Sequence, residues 1–238
     1  MPANAPAVLP SSAKFVPSAR PATVPLVIAL LDYDSGNIRS VEKALRHVGA
    51  EVVRTRTTAP LRNASGLVLP GVGAFDDCLH ALQRQELDQA VRAWIAEGRP
   101  FLGICVGYQA LFERSEEFNS CARGLGIFQG PVVRFEATAA EPKLKIPQIG
   151  WNQIELQQAD CPLYRDIADG SWFYFVHSFY PRPADTRIIA TVTHYGQPFA
   201  SSVWRGNVFA TQFHPEKSQS NGLRLLKNFV DFAEKTSG

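Results

Sequence analysis

Several function classes are poorly represented in this sequence. It has four cysteines, Cys78, Cys105, Cys121 and Cys161, and none stands in C-x-x-C spacing. Neither a zinc site nor a disulfide framework is therefore expected, and reduced thiols in the cytoplasm fit best. Lysine plus arginine number 24 against 22 acidic residues, too small an excess to suggest nucleic acid or an anionic membrane surface as a partner. No apolar run approaches the roughly 20 residues needed to span a bilayer. There is no Walker A sequence, and Gly71-Val72-Gly73 does not extend to G-x-G-x-x-G because Asp76 stands in the third place. Nucleotide binding is accordingly disfavoured.

What is present is ordinary: 238 residues, 45% hydrophobic, enough for one well-packed domain. Residues 1–25 differ from the rest, with six prolines and no acidic residue. Repeated proline denies that stretch both helix and sheet, so a disordered Pro/Ala/Ser-rich leader is expected, followed by a domain over residues 26–236. The prolines also interrupt any secretory h-region, and Lys14 and Arg20 are too few charges to favour an organelle transit peptide.

Aliphatic runs at 26–31, 51–54, 66–69 and 101–104 alternate with helical spacing at 38–48, 76–98 and after 105. That alternation predicts an α/β fold, a mostly parallel central sheet with flanking helices. The second half is richer in β-branched and aromatic residues, with strands predicted at 132–135, 149–156, 172–179, 188–194 and 199–213. These are expected as additional antiparallel or mixed strands, before a last helix at 222–235.

Cys105 has glycine two residues to either side, Gly103 and Gly107, between the 101–104 run and a helix-like segment. This is the strand-to-helix elbow that lifts a nucleophile out at a sheet's edge. The alternative for the segment alone is an inert buried cysteine. Far downstream, His214 and Glu216 stand two apart, which in an extended segment puts both side chains on one side. Glu216 would fix the tautomer of His214, and the other ring nitrogen would take a thiol proton, the chain that covalent catalysis requires. A surface His-Pro-Glu turn is the alternative there. Of the five histidines, His47 and His80 read as surface and His177 as a structural histidine in an aromatic strand.

Both features in this order, together with Asp32-Tyr33-Asp34-Ser35-Gly36-Asn37, Pro70-Gly71-Val72-Gly73-Ala74-Phe75 and Phe213-His214-Pro215-Glu216-Lys217-Ser218, resemble the class I, triad-type glutamine amidotransferases. Within that family the resemblance is strongest to glutaminase subunits of imidazole glycerol phosphate synthase, and it covers residues 27–232. The resemblance implies L-glutamine as substrate, a γ-glutamyl thioester on Cys105, and no metal or organic cofactor. It implies an oxyanion hole from the amides of Val106 and the Val72–Gly73 loop. Gln109 and Glu117 would line the substrate pocket, Glu117 receiving the ammonium in competition with Glu113 and Glu116. The backbone at Ser178 and Phe179 would meet the substrate carboxylate. Gly36, Asn37, Tyr174 and Lys217 would lie at the interface with a separate (β/α)₈ cyclase subunit, in a heterodimer that forms imidazole glycerol phosphate for histidine biosynthesis. Alternatives are a glutaminase serving anthranilate, aminodeoxychorismate or pyridoxal phosphate synthase, a cysteine peptidase on a related fold, and a catalytically dead regulatory subunit.

Overall fold

Strands that are aliphatic without polar alternation are covered on both faces, and here they form the centre of one large sheet. The computed structural model describes residues 26–34, 36–117, 120–137 and 142–236; the leader expected at 1–25 lies outside them. Along the chain come β1 (Val27–Leu31), α1 (Ile38–His47), β2 (Glu51–Thr55), β3 (Gly66–Leu69), α2 (Phe75–Arg84), α3 (Leu87–Ala96), β4 (Phe101–Ile104) and a single helical turn, α4 (Val106–Gln109). The second half adds β5 (Arg114–Ser115), β6 (Pro131–Arg134), β7 (Gln148–Gln153), β8 (Glu155–Leu156), β9 (Trp172–His177), β10 (Phe179–Pro181), β11 (Ile189–Tyr195), β12 (Gln197–Arg205), β13 (Val208–Thr211) and α5 (Gln219–Thr236).

The main sheet runs β2-β1-β3-β4-β13-β12-β11-β8. Its first five strands are parallel and the rest antiparallel. Strands β6, β10 and β5 form a second sheet, and β7 pairs with β9 in a two-stranded ribbon. The expected fold class is the observed one. Among the described residues no helix is long and apolar enough to cross a membrane.

Some expected elements divide. The helical region at 76–98 is two helices, with Glu86 left-handed at φ 56° between them. The step of five from Leu82 to Leu87 cannot stay on one stripe of a helix with 3.6 residues per turn, so the chain restarts to bury Leu87, Val91 and Trp94. The run at 199–213 is a hairpin turned at Gly206, φ 58°. The run at 172–179 breaks at Ser178, leaving β9 and β10 in different sheets, and the run at 149–156 divides into β7 and β8.

The elbow sits where β4 leaves the sheet. Gly103 pairs with Leu69 of β3 on one side, and Ile104 pairs with Thr211 of β13 on the other. The Cys105 N–H donates to the Thr211 carbonyl at 2.7 Å. Cys105 itself is strained, at φ 55° and ψ −108°, a region an L side chain rarely adopts. The flanking glycines are steric requirements. A Cβ on Gly107 would stand 2.0 Å from the Leu69 carbonyl oxygen, and one on Gly103 would stand 2.7 Å from the Gly107 oxygen. Gly107→Ala is therefore expected to cost more than the roughly 1–3 kcal/mol of ordinary overpacking, because the obstacle is backbone. Urea unfolding checks this; a Gly107→Ala protein as stable as the parent would contradict the packing described.

Candidate active site

A cavity of about 370 Å³ opens at the carboxyl ends of the parallel strands, where ligands of open α/β sheets bind. Cys105 and His214 line it, with Val72, Gly73 and Val106 on one wall. Gln109, Glu117, Ser178 and Phe179 form another part of the lining, and the exposed Lys217 contributes to it as well. Pro147, Val176 and His177 complete the cavity.

Sheet register assembles these residues. Because β4 lies between β3 and β13, the Val72–Gly73 loop, Cys105 and the segment carrying His214 leave neighbouring strand ends. Gly73 needs its glycine for φ +101°. Val106 opens α4, so its amide has no intrahelical acceptor.

His214 and Glu216 do not stand on a strand, as their spacing had suggested. The chain leaves β13 at Thr211, and residues Pro215–Lys217 form a 3-10 turn with proline at its start. The turn brings Glu216 back beneath the ring, with Oε1 2.8 Å from His214 Nδ1. Both side chains are buried. Nδ1 donates there, and among the described residues the buried His214 Nε2 has no hydrogen-bond partner of normal geometry. Burial alone lowers the His214 pKa, but the Cys105 sulfur and the Glu216 carboxylate outweigh it and carry the imidazole up to about 10. Catalytic hydrogen bonds in ligand-free sites are often long and close only when substrate is bound. Cys78 and Cys161 lie in a different environment: both are buried, and burial pushes each thiol up to about 12.

The turn is pinned from behind. The His214 N–H donates to the Tyr174 carbonyl at 2.9 Å, and the Tyr174 N–H donates to Ser218 Oγ at 3.0 Å. Ser218 Oγ in turn donates to the His214 carbonyl at 2.6 Å. Asn37 Nδ2 makes a short hydrogen bond to Glu216 Oε1, so this residue, expected at an interface, also touches the carboxylate behind His214. The Asn37 loop is held at its root by buried Asp32, whose carboxylate pairs with Arg54 at 2.7 Å and Arg56 at 3.0 Å. Burial raises the Asp32 pKa, yet Arg54, the Asp34 amide and Arg56 together hold it below the usual value.

Glu117 is the acidic residue of its run that reaches the cavity. Burial, then Asp76 and Asp77, raise its pKa, while the Phe75 N–H at the start of α2 donates to its Oε2 at 2.7 Å and opposes them. Such a partly desolvated carboxylate suits an incoming ammonium. Gln109 turns its Nε2 to the Phe179 carbonyl at 2.9 Å.

The aromatic strand predicts a structural histidine at His177, and the structure makes it part of the cavity. Its Nδ1 donates to the Phe179 carbonyl at 2.8 Å, but its buried Nε2 has no hydrogen-bond partner among the described residues. Burial among Phe135, Phe175 and Phe199 drives its pKa down to about 3, so the ring is neutral. Nothing in its local spacing signals that position. His47 and His80 are exposed, as expected.

Outside the cavity, the β7–β9 ribbon turns one face outward. Its register places Ile149, Trp151, Trp172 and Tyr174 on that face, and Val176, on the same side, reaches the cavity. Ile149 is 63% exposed, Trp172 51% and Trp151 40%. Lys217 Nζ lies 5.8 Å from the centre of the Tyr174 ring. Gly36 is exposed and Tyr174 half-buried.

Comparison with known proteins follows the same outline. The sequence model of the glutamine amidotransferase class-I family matches residues 29–232. The imidazole glycerol phosphate synthase subunit HisH of Syntrophotalea carbinolica is 47% identical over 207 residues, covering 86% of this chain and 100% of the relative. The subunit of the same name from Methylococcus capsulatus is 49% identical over 209 residues, covering 85% and 95%. A crystal structure of a glutamine amidotransferase superposes with a TM-score of 0.66 at 21% identity over 87% of this chain and 98% of the other. The structure of PurLQS from Thermotoga maritima gives 0.68 at 18% identity, with the same coverage of each. These two structures speak for the fold alone. By the span of the family match and the identity to these relatives, the chain belongs to the class-I glutamine amidotransferases and, within them, to the HisH subunits of imidazole glycerol phosphate synthase.

Proposed function

We propose that residues 26–236 act as one glutaminase domain that hydrolyses L-glutamine and hands the ammonia to a cyclase subunit. The observation that carries this reading is the strained Cys105 elbow opening into the same cavity as a His214 ring tied to Glu216 at 2.8 Å. In the proposed mechanism the Cys105 thiolate attacks the side-chain carbonyl carbon of glutamine. Charge gathers on the carbonyl oxygen, where the amides of Val106 and the Val72–Gly73 loop serve as donors. His214, protonated at Nε2, gives its proton to the departing nitrogen, so ammonia leaves and a thioester remains. Water then loses a proton to His214 and attacks the thioester, releasing glutamate and the cysteine sulfur. Glu216 and Asn37 orient the imidazole, and Glu117 receives the substrate's ammonium. The backbone at Ser178 and Phe179 faces its carboxylate.

Free ammonia at neutral pH is mostly protonated and is no nucleophile, so the reaction is useful only beside an acceptor site. The HisH relatives are subunits of imidazole glycerol phosphate synthase by name. The partner proposed here is the (β/α)₈ cyclase subunit, in a cytoplasmic heterodimer. The surface that best suits it is the exposed aromatic face of the β7–β9 ribbon, with Lys217, Gly36 and Asn37 at its border. The same strand β9 holds the His214 turn through the Tyr174 backbone, so docking there would bear directly on the catalytic ring.

Substitutions at the triad and at the ribbon face test these assignments. Cys105→Ala should abolish glutamine-dependent synthesis by the complex while leaving ammonia-dependent synthesis nearly intact; glutaminase activity retained by this variant would remove Cys105 from the mechanism. His214→Ala should lower kcat by about 10²–10⁴-fold, the usual scale for losing a general base. Glu216→Gln should cost less, and the double variant little more than His214→Ala, because the two act as a unit; additive losses in a kinetic cycle would contradict the arrangement. At the interface, Trp172→Ala should weaken binding of the cyclase subunit about tenfold or more, the scale of a buried aromatic anchor, and Lys217→Ala should reduce stimulation of glutaminase activity by the partner. Calorimetric titration and assays with and without the cyclase decide this; a free chain already as fast as the complex would refute the coupling.

A further inference from the structure

The parallel pairing of β4 with β13 sets Ile104 opposite Thr211, so the next residues, Cys105 and Gln212, emerge side by side. Gln212 is fully buried and has no role in the mechanism above. Its Nε2 lies 3.7 Å from Cys105 Sγ, and its Oε1 accepts from Gln109 Nε2 at 3.2 Å. Gln109 Nε2 also donates to the Phe179 carbonyl at 2.9 Å.

The two ends of a glutamine amide are alike in shape, and the network decides which faces the sulfur. A backbone carbonyl can only accept. Gln109 must therefore turn its NH₂ to Phe179, which obliges Gln212 to turn its oxygen to Gln109. The NH₂ of Gln212 is left facing Cys105. Flipping either amide would set two donors or two acceptors against each other in a buried site, where an unmade hydrogen bond is costly. A main-chain oxygen on β10 thus sets the polarity of a relay through two side chains to the nucleophile.

We propose that Gln212 is a further catalytic residue, whose buried N–H donates to the Cys105 sulfur, with Gln109 and the Phe179 carbonyl fixing its direction. The inference rests on Cys105 being the nucleophile. A donor bonds the anionic sulfur more strongly than the thiol or the thioester. It therefore populates the attacking thiolate, and its bond strengthens as charge develops on the sulfur when water opens the thioester, the step that such binding accelerates. Other titratable groups around the sulfur are His214 from the turn after β13 and Cys78 from α2, with His177, Glu117 and Lys217 across the cavity.

The test alkylates the full-length chain with iodoacetamide over a range of pH and follows the Cys105 peptide by mass spectrometry, so that exposed Cys121 does not interfere. Gln212→Met should move the pH profile of Cys105 alkylation upward by about one unit, so that below both titrations the rate falls about tenfold. The rates should converge at high pH, where thiols are ionised in both proteins. The isosteric Gln212→Glu should slow it more, since a carboxylate would then face the sulfur. In glutaminase assays both should lower kcat with little change in KM. Unchanged alkylation in a folded variant, or slowed alkylation with unchanged kcat, would overturn the proposal. Loss of the glutaminase reading itself would be seen separately, as activity surviving in Cys105→Ala.

Discussion

The pairing of β4 with β13 is the constraint on which the rest of this site depends. One strand comes from the first half of the sequence and the other from near its end, and their parallel register fixes Cys105 against Gln212 with His214 two residues beyond. The hydrogen bond from the Cys105 amide to the Thr211 carbonyl ties the elbow to that neighbour. Strain at φ 55° persists only where the surroundings over-determine it. Here β3 lies on one side and β13 on the other, and the flanking glycines admit the backbone at distances no side chain would allow.

Around the cavity, neighbouring titratable groups are driven in different directions by their partners. His214 and His177 are both buried histidines, yet one is carried up by the sulfur and a carboxylate and the other is left neutral among aromatic rings. One ring is thereby able to carry charge, and the other is an uncharged part of the cavity wall. Glu117 is raised by burial, and its bond to the start of α2 holds the carboxylate at the cavity.

Strand β9 links the cavity to the outer surface. Its inward side chains, Phe173, Phe175 and His177, join the aromatic core, and Tyr174 faces outward while its backbone grips the His214 turn. A two-stranded ribbon with exposed tryptophans on one face and the His214 turn bonded to its edge connects the outer surface to the imidazole in few steps. The Asn37 bond to Glu216 provides a second path from the same rim.

Local chemistry determined a good deal of this protein by itself. Aliphatic runs alternating with helical stripes specify a covered parallel sheet, and glycines spaced around Cys105 specify an elbow, because both depend on residues a few positions apart. The His214–Glu216 spacing was legible too, although a proline-started turn rather than a strand brings the two together. Element breaks at Glu86, Ser178 and Gly206 were less legible, since a run of apolar residues does not say which surface each half will cover. Only the tertiary structure decided the roles of Gln212, His177 and Asn37. Each acts through a partner set by packing rather than by sequence spacing: a sulfur 107 positions away, a cavity wall assembled from several elements, and a carboxylate 179 positions away. Periodicity reports which face a residue occupies. Strand register, closed by the packing of the whole sheet, decides what lies across from it.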